Sequence, residues 1–207
     1  LPEPYQNTTG VIFASAFPGS GAWVEEADRY YSARSVEERL AELKTLAGRV
    51  SKTGAAPAIA QDLQRRIGEL EAEVGQNGYT FDRKFLYRAL SFAHAQFAEY
   101  IGARGPNTQI NAACASTTQA VAIAEDWIRA GRCERVVIIS GDDVTSDELL
   151  EWIGAGFLTM GAAATDEKVE DAATPFDRRR HGLILGMGAA AIVVEHRESV
   201  RARGIEP

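Results

Sequence analysis

Residues 109–131 read QINAACASTTQAVAIAEDWIRAG, and the segment RCERVVIIS follows at once. Gln109, Ile110 and Asn111 continue an extended stretch that starts after the Gly105-Pro106 break. Residues 115–130 are rich in helix formers, with small or polar side chains in the first turn. Residues 136–140 are four β-branched residues and a serine, which predicts a central strand covered on both faces. Gly141, Asp142 and Asp143 are expected to end it. Strand, short turn, helix and buried strand in that order predict an α/β fold.

The rest of the chain extends the alternation, with one departure. Residues 10–16, GVIFASA, are a short apolar run bounded by glycine and by Pro18-Gly19, which suits a buried strand. Val36, Leu40, Leu43 and Leu46 then recur at spacings of three and four, as do Ile59, Leu63, Ile67, Leu70 and Val74. Gly54 and Pro57 act as breakers between the two runs. The pattern predicts a helical hairpin over residues 34–75 with charged outer faces, serving as packed decoration, as a lid or as a docking surface. After Gly75, Asn77 and Gly78 a single helix is expected over 82–101, with His94 in it as a packed or surface side chain. Farther on, residues 183–185 and 190–194 are expected to form two adjacent strands, with Gly182, Gly186 and Gly188 allowing close approach.

The placement of Cys114 carries the chemistry. It falls where the extended run turns into a helix, so the helix's first N–H groups and dipole favour a thiolate there and can hold an oxyanion. The local pattern equally suits a small hydrophobe filling a tight corner. Cys133 lies beyond the far end of the same helix, about 25 Å away by helix rise, too far to pair with Cys114. It is read as structural or surface-lying.

Composition narrows the class. A chain of 207 residues, 45% hydrophobic and 25% charged, can bury one substantial core. A net charge of −7 without a sustained basic run argues against nucleic acid as the main partner. Apolar runs are strand-sized or broken by charge, and LPEPYQN at the start has no export-signal character, so a membrane role is not expected. No metal cluster, phosphate loop or nicotinamide fingerprint is read. The setting is expected to be cytoplasmic.

NAACAST, GRCERVVIISGDD, GFLTMGAAA and TPFDRRRHGLILGMGAAAIVVE follow one another in fixed order. That order resembles the β-ketoacyl synthases, condensing enzymes of fatty-acid and polyketide synthesis in the thiolase-like superfamily. The resemblance runs from about residue 9 to residue 207, and the helical hairpin is an insertion relative to its pattern. It implies a thiolase-like layered α/β sandwich, of which this chain would supply mostly the N-terminal half. It also implies that Cys114 is the nucleophile that carries an acyl group, with its own backbone N–H in the oxyanion hole. Phe157 falls where the family lines its acyl pocket, or is simply a core aromatic. The expected partners are acyl and malonyl thioesters on an acyl carrier protein, whose phosphopantetheine arm is delivered to the site while no cofactor is bound directly. A homodimer formed through the strand at 108–111 is expected as well.

In such an enzyme the acyl group moves to the cysteine, a malonyl-type extender loses CO₂, and the resulting carbanion attacks the acyl-cysteine. Decarboxylation needs donors for the developing enolate. The family's two histidines and its second oxyanion donor lie in motifs this chain does not contain, and His181 and His196 do not take their place. The chain is therefore expected to be an internal segment of a longer synthase and inactive alone. Asp177 is expected to pair with one of Arg178, Arg179 or Arg180, in a cluster that is architectural or binds a carrier. A thiolase-like acyltransferase on CoA thioesters and a non-catalytic scaffold are the competing readings.

Overall fold

The structure is a computed structural model that describes residues 1–53, 57–90 and 92–206, without the side chains of Asp147 and Glu148. Its elements run α1 (Glu3–Gln6), β1 (Thr9–Ala14), α2 (Ser20–Thr53), α3 (Pro57–Asn77), α4 (Phe85–Ala89), α5 (Ala93–Ile101), β2 (Asn107–Ile110) and α6 (Ser116–Arg129). They continue with β3 (Arg135–Asp143), α7 (Asp147–Thr159), α8 (Val169–Ala172), β4 (Met187–Glu195) and α9 (Arg197–Arg201). Two compact units emerge, residues 23–85 forming one and residues 1–22 with 86–207 the other.

The larger unit is built on a four-stranded sheet in the order β2-β1-β3-β4. β1 runs parallel to both β2 and β3, and β4 closes the sheet antiparallel to β3. Leaving β1, the chain reaches β2 on one side, then crosses back through α6 to β3 on the other. Right-handed crossovers in opposite directions put α5 and α6 on opposite faces of the sheet. Alternation along β1 does the rest: Ile12 and Ala14 face α6, whereas Val11 and Phe13 face the other way. Ile12, Ala14, Val136 and Ile138 pack against Ala120, Ala124 and Cys133, with Ile110, Trp127 and Val194 at the margin. Ile12 and Val136 are fully excluded from solvent. α5 packs on β1 and β2 and ends at Gly102, whose φ of 71° lets its N–H cap the Ala98 and Glu99 carbonyls.

Three expectations change. The helix over 82–101 is two helices. Asp82 turns the chain, its Oδ1 accepting the Lys84 N–H at 2.9 Å and its carbonyl the Phe85 N–H at 2.8 Å, so α4 starts only at Phe85. A second break after Ala89 separates α4 from α5, with Ser91 outside the described residues. Second, residues 183–185 form no strand. Leu183 makes one parallel bridge to Ala163, and of the two expected strands only β4 joins the sheet, beside β3. Gly182 sits directly on the Ala163–Ala164 backbone, where a Cβ would collide. Third, Gly141, Asp142 and Asp143 do not end β3: they pair with Ala189, Gly188 and Met187 of β4, whose small residues let the strands stay close.

In the other unit, α2 and α3 extend past the expected 34–75 bounds, since α2 begins at Ser20 and α3 continues through Gly75 to Asn77. Pro57 occupies the first position of α3, where its missing N–H costs nothing. The expected breaker Gly54 lies outside the described residues. Leu63, Ile67 and Leu70 are the buried stripe of α3, and Lys44 reaches Glu71 across the pair at 2.7 Å. Glu26 is buried on α2, taking the Tyr79 hydroxyl at 2.6 Å and Arg29 Nη1 at 2.9 Å. Edge-on aromatic contacts Trp23–Phe85 and Tyr30–Tyr79, at 4.8 and 5.2 Å, belong to the same unit, the second involving the tyrosine that donates to Glu26.

Candidate active site

β2 stops at Ile110 and α6 starts at Ser116, so the reversal is made by residues 111–115. Ala113 adopts φ 49°, in the left-handed region that a residue with a Cβ rarely enters. Side chains on both sides hold it there. Asn111 Oδ1 accepts the Ala113 N–H at 3.0 Å. The buried Ser116 hydroxyl accepts the Ala112 N–H at 2.9 Å and donates to the Ala113 carbonyl at 2.6 Å. Backbone bonds from Ala115 N–H to Ala112 and from Ser116 N–H to Ala113, at 3.0 and 3.1 Å, complete the turn. Cys114 is left exposed at the entrance to the 14-residue α6, and its sulfur is a free thiol.

Cys133 is the contrasting thiol. It is buried in the core beneath α6, and burial pushes its thiol up, with the neighbouring Arg132 and Arg135 charges only partly opposing this. A buried thiol with a raised pKa is an inert packing group.

Beside the elbow, the carboxyl ends of β1, β2 and β3 surround a cleft of about 350 Å³ lined by Phe13, Phe17, Pro18, Tyr87, Gln96 and Asp142, among others. Openings at this end of parallel strands are where α/β sheets take ligands. Asp142 organises one wall. Its carboxylate accepts the Ser15 hydroxyl at 2.6 Å and the N–H groups of Ala16 and Phe17 at 2.9 and 3.0 Å. Next to it, Asp143 takes the Thr145 N–H and hydroxyl, which hold its carboxyl below the usual range.

Phe157 stands in the last turn of α7, half-buried, and its carbonyl accepts the Ala162 and Ala163 N–H groups at 2.9 and 3.2 Å. Neither Phe157 nor Cys114 lines the cleft at the strand ends. Of the three arginines after Asp177, Arg179 is its partner through two near-parallel bonds of 3.0 and 2.9 Å, which hold Asp177 below the usual carboxylate range. His181 pairs with Asp166 at 3.1 Å, and His196 is placed at the start of α9 with its N–H on the Glu134 carbonyl. Among the described residues no group of three or more His, Cys, Asp or Glu side chains is placed to hold a metal ion, and no helix is long and apolar enough to cross a membrane.

Asn111 and Asp142 are the residues of this region that the linear pattern underrates. Asn at a strand end before small residues signals an Asx turn. Nothing in GDD announces a carboxylate that reaches back 127 positions to Ser15.

Comparison with known proteins agrees with this architecture. The family model for the β-ketoacyl synthase N-terminal domain matches residues 32–199. The 3-oxoacyl-[acyl-carrier-protein] synthase 2 of Staphylococcus aureus is 33% identical over 112 residues, which are 54% of this chain and 27% of the relative. A β-ketoacyl synthase from Burkholderia phymatum superposes with a TM-score of 0.57 at 19% identity, covering 98% of this chain and 39% of that one. A type II polyketide ketosynthase, solved bound to the hexaketide with its acyl-carrier protein, superposes with a TM-score of 0.60 at 22% identity, over 97% of this chain and 40% of that one. The chain thus spans about a quarter of the curated relative and two fifths of each solved neighbour. With the family model covering most of its length, the chain belongs to the β-ketoacyl synthase family, in the N-terminal domain.

Proposed function

We propose that the chain supplies the nucleophile of a ketosynthase of fatty-acid or polyketide synthesis. The observation that carries this is the exposed Cys114 in a backbone-strained turn at the head of α6. In the proposed step the Cys114 thiolate attacks the carbonyl of an acyl thioester. The tetrahedral oxyanion collapses, the carbon–sulfur bond to the carrier breaks, and the departing phosphopantetheine thiolate takes up a proton while the acyl group stays on Cys114. Ala112 and Ala113 already give their N–H groups to side-chain oxygens, which supports the Cys114 N–H as part of the oxyanion hole.

For the whole enzyme we propose decarboxylative condensation of a malonyl-type extender with the acyl-Cys114 intermediate, both partners being carried by acyl carrier protein. Phe157 is assigned to the acyl pocket. Dimerisation through β2 is supported by its place at the sheet edge, where unpaired N–H and C=O groups invite a second strand. The α2–α3 hairpin is assigned as the insertion in the family pattern.

Incubation of the native full-length protein with a short acyl thioester, followed by intact and peptide mass spectrometry, tests the reading. An acyl adduct confined to Cys114 and lost in Cys114→Ala is the expected result. A folded protein with no adduct would overturn it in favour of a scaffold.

A further inference from the structure

The elbow is held from outside as well as from within. Asn111 spends both ends of its amide: Oδ1 accepts the Ala113 N–H at 3.0 Å, and Nδ2 donates to the Ala16 carbonyl at 2.9 Å. Ala16 belongs to the segment leaving β1, and that segment is fastened by Asp142 at the end of β3. Asp142 Oδ1 takes the Ser15 hydroxyl and the Phe17 N–H, and Oδ2 takes the Ala16 N–H. One continuous path of hydrogen bonds therefore runs from β3 through residues 15–17 to Asn111 and on to the residue preceding Cys114.

We propose that Asn111 is a positioning residue for acyl transfer to Cys114, and that Asp142 acts through it, so that three strand ends together set the direction of the thiol. The inference rests on the proposed role of Cys114 and adds to it a mechanism of alignment. Ala113 pays for its left-handed conformation, and a strained residue persists only where its surroundings over-determine it. Ser116 holds the turn from the helix side. It cannot locate the turn relative to the sheet, because both of its bonds stay within residues 112–116. Asn111 supplies that reference at the strand end of the turn by spanning 95 positions to Ala16, as Thr117 does at the helix end through its 2.6 Å hydroxyl bond to Ser140 of β3. Asp142 makes the reference rigid: the Ser15 N–H bond to the Ile110 carbonyl ties the strand exit to β2 at 3.3 Å, and Asp142 adds the bonds that fix the Ala16 and Phe17 N–H groups. The same carboxylate borders the cleft at the strand ends, which Gln109, two residues before Asn111, lines as well.

Such a device acts on the rate of attack and leaves substrate capture alone. Near-attack alignment is steep in distance, so small displacements of a nucleophile are expensive in rate. The test is single-turnover acylation of Cys114 in the native full-length protein by a short acyl thioester, read by intact mass over a range of thioester concentrations, with melting temperature measured alongside. Asn111→Ala is expected to lower the maximal acylation rate about tenfold with the half-saturating concentration and melting temperature close to wild type. Asn111→Asp keeps an oxygen for the Ala113 N–H and should recover part of the loss. Asp142→Asn forfeits the Ala16 N–H bond and should lower the maximal rate in the same direction. Wild-type rates in both Asn111→Ala and Asp142→Asn would overturn the inference while leaving Cys114 as the nucleophile. So would a loss that merely tracks the unfolded fraction. Absence of any adduct in folded wild type would remove both the inference and the function on which it rests.

Discussion

Arg135 and Glu195 are opposite partners in the register of β3 and β4, and Arg135 Nε donates to Glu195 Oε1 at 2.7 Å. The pair closes the end of the sheet remote from the elbow. Arg135 is 7% exposed at its side chain, its guanidinium lies 4.6 Å from the Tyr5 ring centre, and Nη1 reaches the Thr8 and Thr9 hydroxyls. Arg203 takes the second oxygen of Glu195 at 2.5 Å. The Arg135 charge is out of water and the Glu195 carboxylate is half-buried, and both are surrounded by partners, which is the condition under which such a pair is tolerated.

Burial disfavours ionisation of Glu195, yet the hydrogen bonds and charges of Arg135 and Arg203 outweigh it and hold the carboxyl below its ordinary value. A carboxyl lowered in the folded state contributes stability that is present above its unfolded pKa and is lost as pH falls through the folded one. Melting temperature should therefore fall as pH drops below the ordinary carboxyl value of 4.5, and Glu195→Gln should flatten that part of the curve. Arg135→Met should cost about 3 kcal/mol near neutral pH, measured by denaturant unfolding, because a half-buried carboxylate loses a partner.

The two thiols should separate cleanly by reactivity. Iodoacetamide on the folded protein is expected to label Cys114 and spare Cys133, with Cys133 labelled only after denaturation, as peptide mass spectrometry would show. Equal labelling of both in the folded state would contradict the core described beneath α6.

Ile12 is fully buried at the centre of the sheet, between β2 and β3. Ile12→Ala should lower unfolding free energy by about 3 kcal/mol, with Ile12→Val costing about 1 kcal/mol. Equilibrium urea unfolding checks both, and near-neutral behaviour of the alanine variant would be inconsistent with this packing.

Gly182 rests on the Ala163–Ala164 backbone, where the Leu183 bridge holds residues 162–164 through bonds of 2.9 Å. Gly182→Ala should cost about 2 kcal/mol by forcing those backbones apart. Gly186→Ala, where nothing stands near the added carbon, should be close to neutral. Comparing the two melting temperatures isolates the steric effect.

Much of this protein was legible in the linear pattern, because the signals were local. Four β-branched residues at 136–139 predict a strand, and the strand forms there as β3. Small and polar residues before a run of helix formers place α6 to within a residue of its observed bounds, and they put Cys114 in the turn before it. Both helices of the hairpin follow from their apolar spacing, though not the start of α2 at Ser20, since the stretch around Trp23 and Tyr30 carries no clear stripe.

The sequence by itself determined the alternation of elements, the elbow and the identity of the thiol in it, since each depends on residues close together in the chain. Only the tertiary structure decided which strands are neighbours, that β3 runs on through Asp143 against the small residues of β4, and that residues 183–185 stay out of the sheet. It also decided that Asp142 and Asn111 meet the exit of β1, and that Glu195 lies over Arg135. These are contacts across 60 to 127 positions. Local propensity is blind to them because a polar side chain's partner is chosen by where the strands converge, and that is settled by burying Ile12, Val136 and Ile138 together.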